Sequence, residues 1–370
     1  MNTNHVARQW GEPVWRSRAL ATAAQPLPRA VDVAVVGGGL TGISAALHLA
    51  RGGLSVTVLE AFNLGEGASG RTGGIVLEGT ATGTRPGAED CVPSLARLVD
   101  ELGIDCGLHL PGCWEIEHQA GSSGSALPWT DEGSPIRIAR TVAGGDVEPR
   151  ALLFGLADAA QRSGAVIRES TIVRKIRLND PAVEVDQGVI VARHLVVAVN
   201  AWTSALLPGF SRMHSALTYA CATEPLSDEV LVQLGLGERI PFYTADRPYL
   251  WGRVAPHGEI VFGAGLKYGT PRELQETSIG GSDSILQKLA ARIRRLHPAL
   301  AKVQITSEWA GPIAFTDSAL PIVATYPANS AILVSAAYAG HGVAFSVHAG
   351  ALLAAAILHG AALPEWGALD

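Results

Sequence analysis

The 370-residue sequence is short of the features that mark special chain classes. It has four cysteines (Cys91, Cys106, Cys113 and Cys221) with no CxxC pair and no ladder of close spacings. Neither a structural metal site nor a disulfide scaffold is therefore expected, and reduced thiols in a cytoplasmic protein follow. Positive charge is not in excess. Against 34 Asp and Glu stand 28 Lys and Arg, a formal net charge of −6. That leaves no broad cationic face for a phosphate backbone, so no nucleic-acid partner is expected. No uninterrupted apolar run reaches the roughly 18 residues of a membrane span. The best stretch, residues 350–363, is alanine-rich and interrupted by His359. Residues 1–15 are polar and lack the apolar core of a secretion signal. With 42 Gly and 21 Pro the chain stays below the roughly 25–30% at which low complexity takes over. No internal repeat is evident. What remains is a globular composition, 48% hydrophobic and 17% charged, long enough for two domains of about 100–200 residues each.

The first strong pattern follows a proline-containing stretch at residues 25–28. Val31-Asp32-Val33-Ala34-Val35-Val36 is a short β-branched run, the signature of a strand buried on both faces of a parallel sheet. Gly37-Gly38-Gly39-Leu40-Thr41-Gly42 comes next, then a helical spacing of Ile43, Ala46, Leu47 and Ala50 that stops at Gly52-Gly53. Residues 54–59 read as a second buried strand closed by Glu60, completing a βαβ unit within residues 31–60. Loop chemistry dominates residues 63–87, a helix is expected at 95–102, and a Gly/Ser-rich surface loop at 121–135. A second clear helix spans 148–163, with Pro149 in its first turn and Gly164 past its end. Short strands are expected at 165–167, 190–191 and 195–199, and separated strands with aromatics between 213 and 262. Residues 283–296 form an amphipathic helix. A last strand at 332–336 leads through a Gly-His-Gly turn into an apolar helix at 343–358. The order fits a nucleotide-binding α/β domain whose strands come from separated segments, with a β-rich second domain inserted.

The spacing Gly37-x-Gly39-x-x-Gly42 assigns each glycine a task. Gly37 permits the tight turn out of the strand, Gly39 lets backbone approach a pyrophosphate, and Gly42 lets the helix pack on the sheet. The helix N-terminus adds unpaired N–H groups and partial positive charge. Glu60, at the end of the second strand, is placed to accept from ribose hydroxyls and disfavours a 2′-phosphate. The motif identifies a dinucleotide but not which one.

The next segment is more specific. Gly65-Glu66-Gly67-Ala68-Ser69-Gly70-Arg71-Thr72-Gly73-Gly74 resembles the second flavin-contacting stretch of the FAD-dependent amino acid and amine oxidases, the superfamily of D-amino acid oxidase, glycine oxidase and sarcosine oxidase. Gly145-Asp146-Val147-Glu148-Pro149-Arg150 resembles the family's central signature. Val197-Ala198-Val199-Asn200-Ala201-Trp202-Thr203 is similar to the strand-end motif of the γ-glutamylputrescine oxidoreductase-like branch, which often carries Asn where other branches carry Gly. Gly311-Pro312-Ile313-Ala314-Phe315-Thr316-Asp317 and Gly340-His341-Gly342-Val343 resemble that branch's C-terminal flavin site. The resemblance implies a Rossmann-like FAD-binding domain of the glutathione-reductase type (31–90, 141–212 and 305–370) with an inserted, discontinuous α+β substrate domain (91–140 and 213–304), after an N-terminal extension (1–30). It implies FAD contacts at Gly37, Gly39, Leu40, Thr41, Gly42, Glu60, Ala68, Ser69, Gly70, Arg71, Gly73, Gly74, Val173, Asn200, Trp202, Gly311, Gly340, His341, Gly342 and Val343. Small residues suit a backbone that runs beside a flat ring. Arg71 is expected at a flavin phosphate or the ring's polar edge. The turn at Gly340–Gly342 would aim a helix N-terminus at the N1/C2=O edge, where negative charge grows on reduction. His341 reads either as part of that electronic device or as a plain helix cap.

Relatives that tether FAD do so through a cysteine in the stretch resembling residues 309–321 or a histidine near 68–74. Neither stretch holds one here, so FAD is expected to be noncovalent. The implied chemistry is hydride transfer from the carbon bearing an amine to flavin N5, giving an imine that hydrolyses. Reoxidation would be by oxygen or another acceptor. Substrate contacts are expected from the inserted domain: Arg253 as a bidentate carboxylate clamp, with Tyr249 and Trp251 alternating around Leu250 on a strand. No residue stands out as a catalytic acid or base. Two other readings remain open: an FAD-dependent 2-hydroxy acid or polyol dehydrogenase, and a noncatalytic flavin-binding subunit of an oxidase complex. Oligomeric state is not legible.

Overall fold

The computed structural model describes residues 9–15, 17–20, 26–118, 125–244, 249–280 and 282–369. In chain order the main elements are β1 (Ala30–Val36), α1 (Leu40–Arg51), β2 (Val56–Leu59), β3 (Ile75–Leu77), α2 (Cys91–Leu102), β4 (Cys113–Glu117), β5 (Ser125–Asp131), β6 (Ser134–Val142) and β7 (Gly144–Asp146). Then come α3 (Pro149–Arg162), β8 (Val166–Arg168), β9 (Val173–Arg177), β10 (Ala182–Val185), β11 (Gly188–Val197), α4 (Thr203–Leu206), β12 (Met213–Thr223) and α5 (Asp228–Gln233). The remainder are β13 (Phe242–Thr244), β14 (Trp251–Val254), β15 (Ile260–Tyr268), α6 (Pro271–Glu276), α7 (Ser284–Leu296), β16 (Ile305–Thr316), β17 (Ile322–Thr325), β18 (Ile332–Ala336) and α8 (Gly342–His359).

The first sheet runs β17-β18-β11-β1-β2-β8, with β9 and β10 continuing from β11 as a hairpin. Five of its strands, β18, β11, β1, β2 and β8, are parallel, whereas β17 pairs β18, and β10 pairs β11 and β9, antiparallel. The β-branched run of β1 serves both faces. Val33 and Val35 enter the cluster beneath α1, α3 and α8, whereas Ala34 and Val36 enter the cluster on the opposite face. Glu148 caps α3, its carboxylate accepting from the N–H groups of Arg150 and Ala151. The helices α1 and α8 cross closely because Gly350 has no side chain: a Cβ there would stand 2.5 Å from the Thr41 carbonyl oxygen. At the same crossing the Ser44 hydroxyl donates to the Val347 carbonyl at 2.6 Å.

The second sheet runs β16-β12-β15-β14-β13-β4-β6-β5 and is antiparallel except at β4–β13. Trp129, Phe242 and Phe262 form its aromatic centre, with ring centroids 4.9–6.5 Å apart. β3 and β7 make a small third sheet between the two.

Several sequence expectations shift. The surface loop placed at 121–135 is, from Ser125 onward, the hairpin β5–β6, whose alternate residues Leu127, Trp129 and Asp131 are buried. The separate strands at 190–191 and 195–199 are one strand, β11. The sheets also divide the chain differently from the boundaries drawn at 91 and 305. Leu95 and Leu98 of α2 pack into the core of the first sheet, and β16 pairs with β12 in the second. The N-terminal extension joins the fold as well. Gly11 bridges to Trp309 beside the edge strand β16, and the Ala310 N–H donates to the Trp10 carbonyl at 2.8 Å. Finally, α8 has 18 residues and is apolar and long enough to cross a membrane by length and composition, although no single apolar run in the sequence shows it. It packs against α1, with Val343, Phe345, Val347 and Leu353 in the core.

Candidate active site

At the C-terminal edge of the first sheet, the turn from β1 into α1 is built by glycines. Gly37 adopts φ +103°, and a Cβ on Gly42 would stand 2.0 Å from the Gly37 carbonyl oxygen. No other residue type permits so tight a turn under the helix. A Cβ on Gly39 would meet the Ser69 hydroxyl at 2.9 Å; that hydroxyl accepts the Leu40 N–H, also at 2.9 Å. Glu60 closes the other side of the turn, its carboxylate accepting from the N–H groups of Gly38 (2.7 Å) and Phe62 (3.0 Å). Burial pushes the Glu60 carboxyl up, and those two backbone donors oppose the rise.

The 65–74 stretch folds over the start of α1 and is held from behind. Arg71 is buried and does not extend a free charge toward a ligand: Nε donates to the Glu66 carbonyl (2.8 Å), and Nη1 donates to the carbonyls of Gly11 (2.8 Å), Trp10 and Ala310 (both 3.2 Å). Burial lowers its pKa to about 10. Trp15 and Trp309 donate their indole N–H groups to the carbonyls of Thr72 (3.0 Å) and Arg71 (2.9 Å). A Cβ on Gly73 would collide with the Trp251 ring at 2.1 Å.

Arg253 is 2% exposed and does not line the cavity described below. Its Nη1 donates to Asp146 at 2.6 Å, its Nε donates to the Gly73 carbonyl at 2.6 Å, and its guanidinium sits 4.6 Å from the Trp15 ring centroid. Nη2 is buried with no hydrogen-bond partner among the described residues. Burial raises the Asp146 carboxyl in spite of the neighbouring Arg253 and His109. The carboxylate clamp expected of Arg253 is thus corrected. This charge joins the second sheet to the central Gly145–Glu148 turn and the 65–74 stretch, and is spent inside the protein.

On the opposite wall, the segment between β18 and α8 is unusual in its backbone. Ala337 (φ +62°), Ala339 (φ +51°) and Gly340 (φ +87°) are all left-handed. Alanine pays for this conformation, so the segment persists only where its surroundings fix it. Asn200, itself at φ +45°, accepts the Ala337 N–H on its side-chain oxygen at 2.9 Å, and the Ala339 N–H reaches the Ala314 carbonyl at 3.0 Å. The left-handed φ explains physically why Asn or Gly suits position 200. His341 takes the N-cap position of α8 without a capping side-chain bond. Its Nδ1 is buried with no partner among the described residues, and burial lowers its pKa.

These walls enclose a cavity of about 2010 Å³, well above the roughly 300–1,000 Å³ of a small-ligand pocket. It is lined by Gly39, Leu40 and Thr41 at the start of α1, by Ser69, Gly73 and Gly311, and by Gly340, His341, Gly342 and Val343 at the start of α8. The second sheet contributes Tyr243, Tyr249 and Trp251, while Leu250 between them is fully buried in the core. Tyr249 is exposed to this cavity, and its hydroxyl lies 3.8 Å from where a Gly340 Cβ would stand.

A family model described as DAO, FAD dependent oxidoreductase, matches residues 32–356, which cover the glycine turn, the 65–74 stretch and both cavity walls. The chain belongs to the DAO family of FAD-dependent oxidoreductases. It is an enzyme chain by that membership, and FAD is the family's cofactor. It is 28% identical to γ-glutamylputrescine oxidoreductase of Escherichia coli (strain K12), over 87% of this chain and 82% of that protein. It is 27% identical to glycine oxidase of Bacillus licheniformis, over 90% and 95%. Among solved structures, L-proline dehydrogenase from P. horikoshii covers 90% of this chain and 95% of its own at TM-score 0.73 and 18% identity. Glycine oxidase from Geobacillus kaustophilus covers 89% and 95% at TM-score 0.71 and 21% identity. Both structures show the shared DAO fold.

The residues present fit FAD. The Gly39 cradle admits backbone but no side chain, the N-termini of α1 and α8 both open on the cavity, and the orphaned His341 Nδ1 lies at its wall. Of the expected contacts, Ala68, Ser69, Arg71, Asn200 and Gly311 line the cavity, but Trp202 and Val173 do not. The Trp202 ring packs on Trp10, with centroids 5.9 Å apart, and the Val173 side chain enters the hydrophobic cluster of the first domain. Gly37, Gly42, Glu60, Gly70 and Gly74 shape the backbone just behind the wall. Three features escaped sequence reasoning. The first is the N-terminal segment carrying Trp10 and Trp15. The second is Tyr338, whose hydroxyl meets Thr41 and Ser335. The third is a cavity-lining set in which Glu115 accepts from the Tyr243 hydroxyl (2.9 Å) and from Arg140 (2.8 and 3.1 Å). The spacing of Glu115 and Arg140 gives no signal, because strand pairing between β4 and β6 brings them together.

Proposed function

We propose that this enzyme oxidises a C–N bond of a small amine or amino acid, with FAD held noncovalently across the cavity. The carrying observation is a single cavity that joins a dinucleotide turn at one end to an aromatic wall of Tyr243, Tyr249 and Trp251 at the other. The names of the relatives support the reading: γ-glutamylputrescine oxidoreductase, glycine oxidase and 4-methylaminobutanoate oxidase each act on an amine or amino acid. The Gly39–Gly42 turn and the α1 N-terminus would hold the pyrophosphate, and Glu60 would brace that turn from behind through the Gly38 and Phe62 N–H groups. The 68–74 stretch would pass along the ring, and Gly340–Val343 would face its polar edge. Neither stretch in which relatives tether FAD supplies a tether here: residues 309–321 hold no cysteine and 68–74 no histidine.

Bound FAD supplies the hydride acceptor at N5, and the oxidised product is an imine that water hydrolyses to a carbonyl compound and an amine or ammonia. The chain's own work is orientation and electrostatics. Tyr249 and Trp251, which line the cavity, would position the substrate carbon and exclude water. His341, its pKa lowered by burial, stays neutral near pH 7 and places no extra charge at the wall. A substrate amine bound neutral needs no catalytic base. Oxygen or another acceptor completes the cycle.

The test is the visible spectrum of the purified protein under anaerobic conditions, before and after a mixed panel of amines and amino acids. Bleaching of the flavin band is the expected result. Bleaching by 2-hydroxy acids alone, or a yellow protein that no small molecule reduces, would overturn it in favour of a hydroxy acid dehydrogenase or a noncatalytic subunit.

A further inference from the structure

Three buried hydroxyls connect the two helix N-termini at the cavity. The Ser335 hydroxyl donates to the Ile322 carbonyl at 2.9 Å. Ser335 has one proton, so its 2.8 Å contact with Tyr338 must be filled by the Tyr338 proton. Tyr338 has then no proton left for its 2.5 Å contact with Thr41, which must be the donor. The order Thr41 to Tyr338 to Ser335 to Ile322 is therefore forced. It runs from the first turn of α1, across the base of the cavity, to strands β17 and β18.

Tyr338 is also the centre of the left-handed segment that leads into α8. It lies between Ala337 and Ala339, its carbonyl accepts the His341 N–H at 2.9 Å, and its Cβ stands 3.2 Å from where a Gly342 Cβ would be. Two left-handed alanines cost energy that the surroundings must offset. Asn200 holds one end of the segment through the Ala337 N–H, and the hydroxyl chain holds its middle.

We infer that Tyr338 is a positioning residue for the cofactor. Its hydroxyl ties the α1 turn to the α8 turn, so that the pyrophosphate and the flavin ring are gripped as one unit and the α8 N-terminus stays aimed at the flavin's polar edge. The inference rests on the placement of FAD proposed above. A second consequence follows from the proton order. The Thr41 hydroxyl offers only lone pairs to the cavity, so it suits a sugar or ribityl hydroxyl of the cofactor and not a phosphate oxygen.

The test uses the full-length holoprotein with Tyr338→Phe, Thr41→Val, Thr41→Ser and the double variant Tyr338→Phe/Thr41→Val. FAD affinity is measured by titrating apoprotein, and the flavin midpoint potential by dye equilibration. Loss of one buried hydrogen bond is expected to weaken FAD binding by about fivefold in Tyr338→Phe and in Thr41→Val. The double variant is expected to be no worse than about tenfold, because both changes break one chain. The potential of Tyr338→Phe should move to more negative values as the α8 dipole loses its aim, and Thr41→Ser, which keeps the donor, should behave as the parent. An unchanged FAD affinity and potential in Tyr338→Phe would overturn the inference, as would a drop in apoprotein melting temperature with both unchanged. A parent protein that binds no FAD at all would instead sink the cofactor placement. Should Tyr338→Phe fail to fold, Thr41→Val against Thr41→Ser decides alone: equal FAD affinities refute the brace.

Discussion

Replacing Arg253 by Met tests whether this charge acts on a substrate or on the protein's own interior. Arg253 is 2% exposed and Asp146 6% exposed, and their 2.6 Å contact is the closest charge pairing of either. Removing one partner of a buried pair costs about 3–5 kcal/mol, because the other charge is left without compensation. Unfolding entropy of about 2.1 cal/mol/K per residue gives about 0.8 kcal/mol/K for a chain of this length, so a loss of about 4 kcal/mol lowers the melting temperature by about 5 °C. The pH dependence has a fixed sign. Burial already raises the folded-state pKa of Asp146, and losing Arg253 raises it further. A carboxyl with a raised folded pKa binds its proton more tightly when folded, so its ionisation penalty is full above that pKa, shrinks as pH falls below it, and is gone only below the pKa of the unfolded chain. The destabilisation of Arg253→Met should therefore be largest near pH 8 and shrink as pH falls through the raised pKa. Asp146→Asn in the same background should recover part of the loss. Differential scanning fluorimetry at several pH values reads this directly. An unchanged melting temperature together with a selectively raised KM for carboxylate-bearing substrates would refute the argument and restore a substrate clamp.

Other perturbations follow from close contacts. Gly39→Val should abolish the flavin absorbance of the purified protein, since even a Cβ stands 2.9 Å from the Ser69 hydroxyl that holds the Leu40 N–H; retained FAD would contradict the phosphate-turn assignment. Asn200→Asp keeps an acceptor for the Ala337 N–H and tolerates φ +45°, so it should retain FAD. Asn200→Val loses the acceptor and adds about 1–2 kcal/mol of left-handed strain, so FAD titration should show weakened binding. Trp15→Ala removes a ring over Arg253 and a donor to the Thr72 carbonyl; an expected loss of about 3–5 kcal/mol should accompany faster proteolysis of the 65–74 stretch. All four thiols are buried, with pKa values pushed up by burial to about 12 (Cys91), about 11 (Cys106) and about 12 (Cys221), and upward likewise for Cys113. None should react with an aromatic disulfide reagent at pH 8 until denaturant is added.

What was legible in the sequence was whatever the backbone dictates locally. The β1–α1–β2 unit could be read because a β-branched run, three glycines and a helical spacing are all contained within residues 31–60, and each of the three glycines has a steric task that no other residue type performs. The 65–74 stretch was legible for the same reason. Side-chain destinations were not. Arg71 and Arg253 look like ligand-binding charges in a string of letters. Their partners, the carbonyls of Trp10, Gly11, Gly73 and Ala310 and the Asp146 carboxylate, lie 60 to 239 residues away and come together only through sheet pairing. The hairpin β5–β6 was hidden because its turn residues and exposed alternation resemble a loop, while the burial of Leu127 and Trp129 depends on α7 and on the Phe242–Phe262 pair. A buried arginine costs too much desolvation to be left unpaired. The charges lost to substrate recognition here are therefore the ones that join the N-terminal segment, the flavin stretch and the second sheet. The prediction is that substrate specificity rests on residues that line the cavity: Tyr249, Trp251, and the Glu115–Arg140–Tyr243 set. The Glu115 carboxyl is held below its usual range chiefly by the Arg140 hydrogen bond, so it remains an anion throughout the neutral range. Arg140→Gln should leave FAD binding intact while shifting KM across the amine panel, and a uniform KM would place specificity elsewhere.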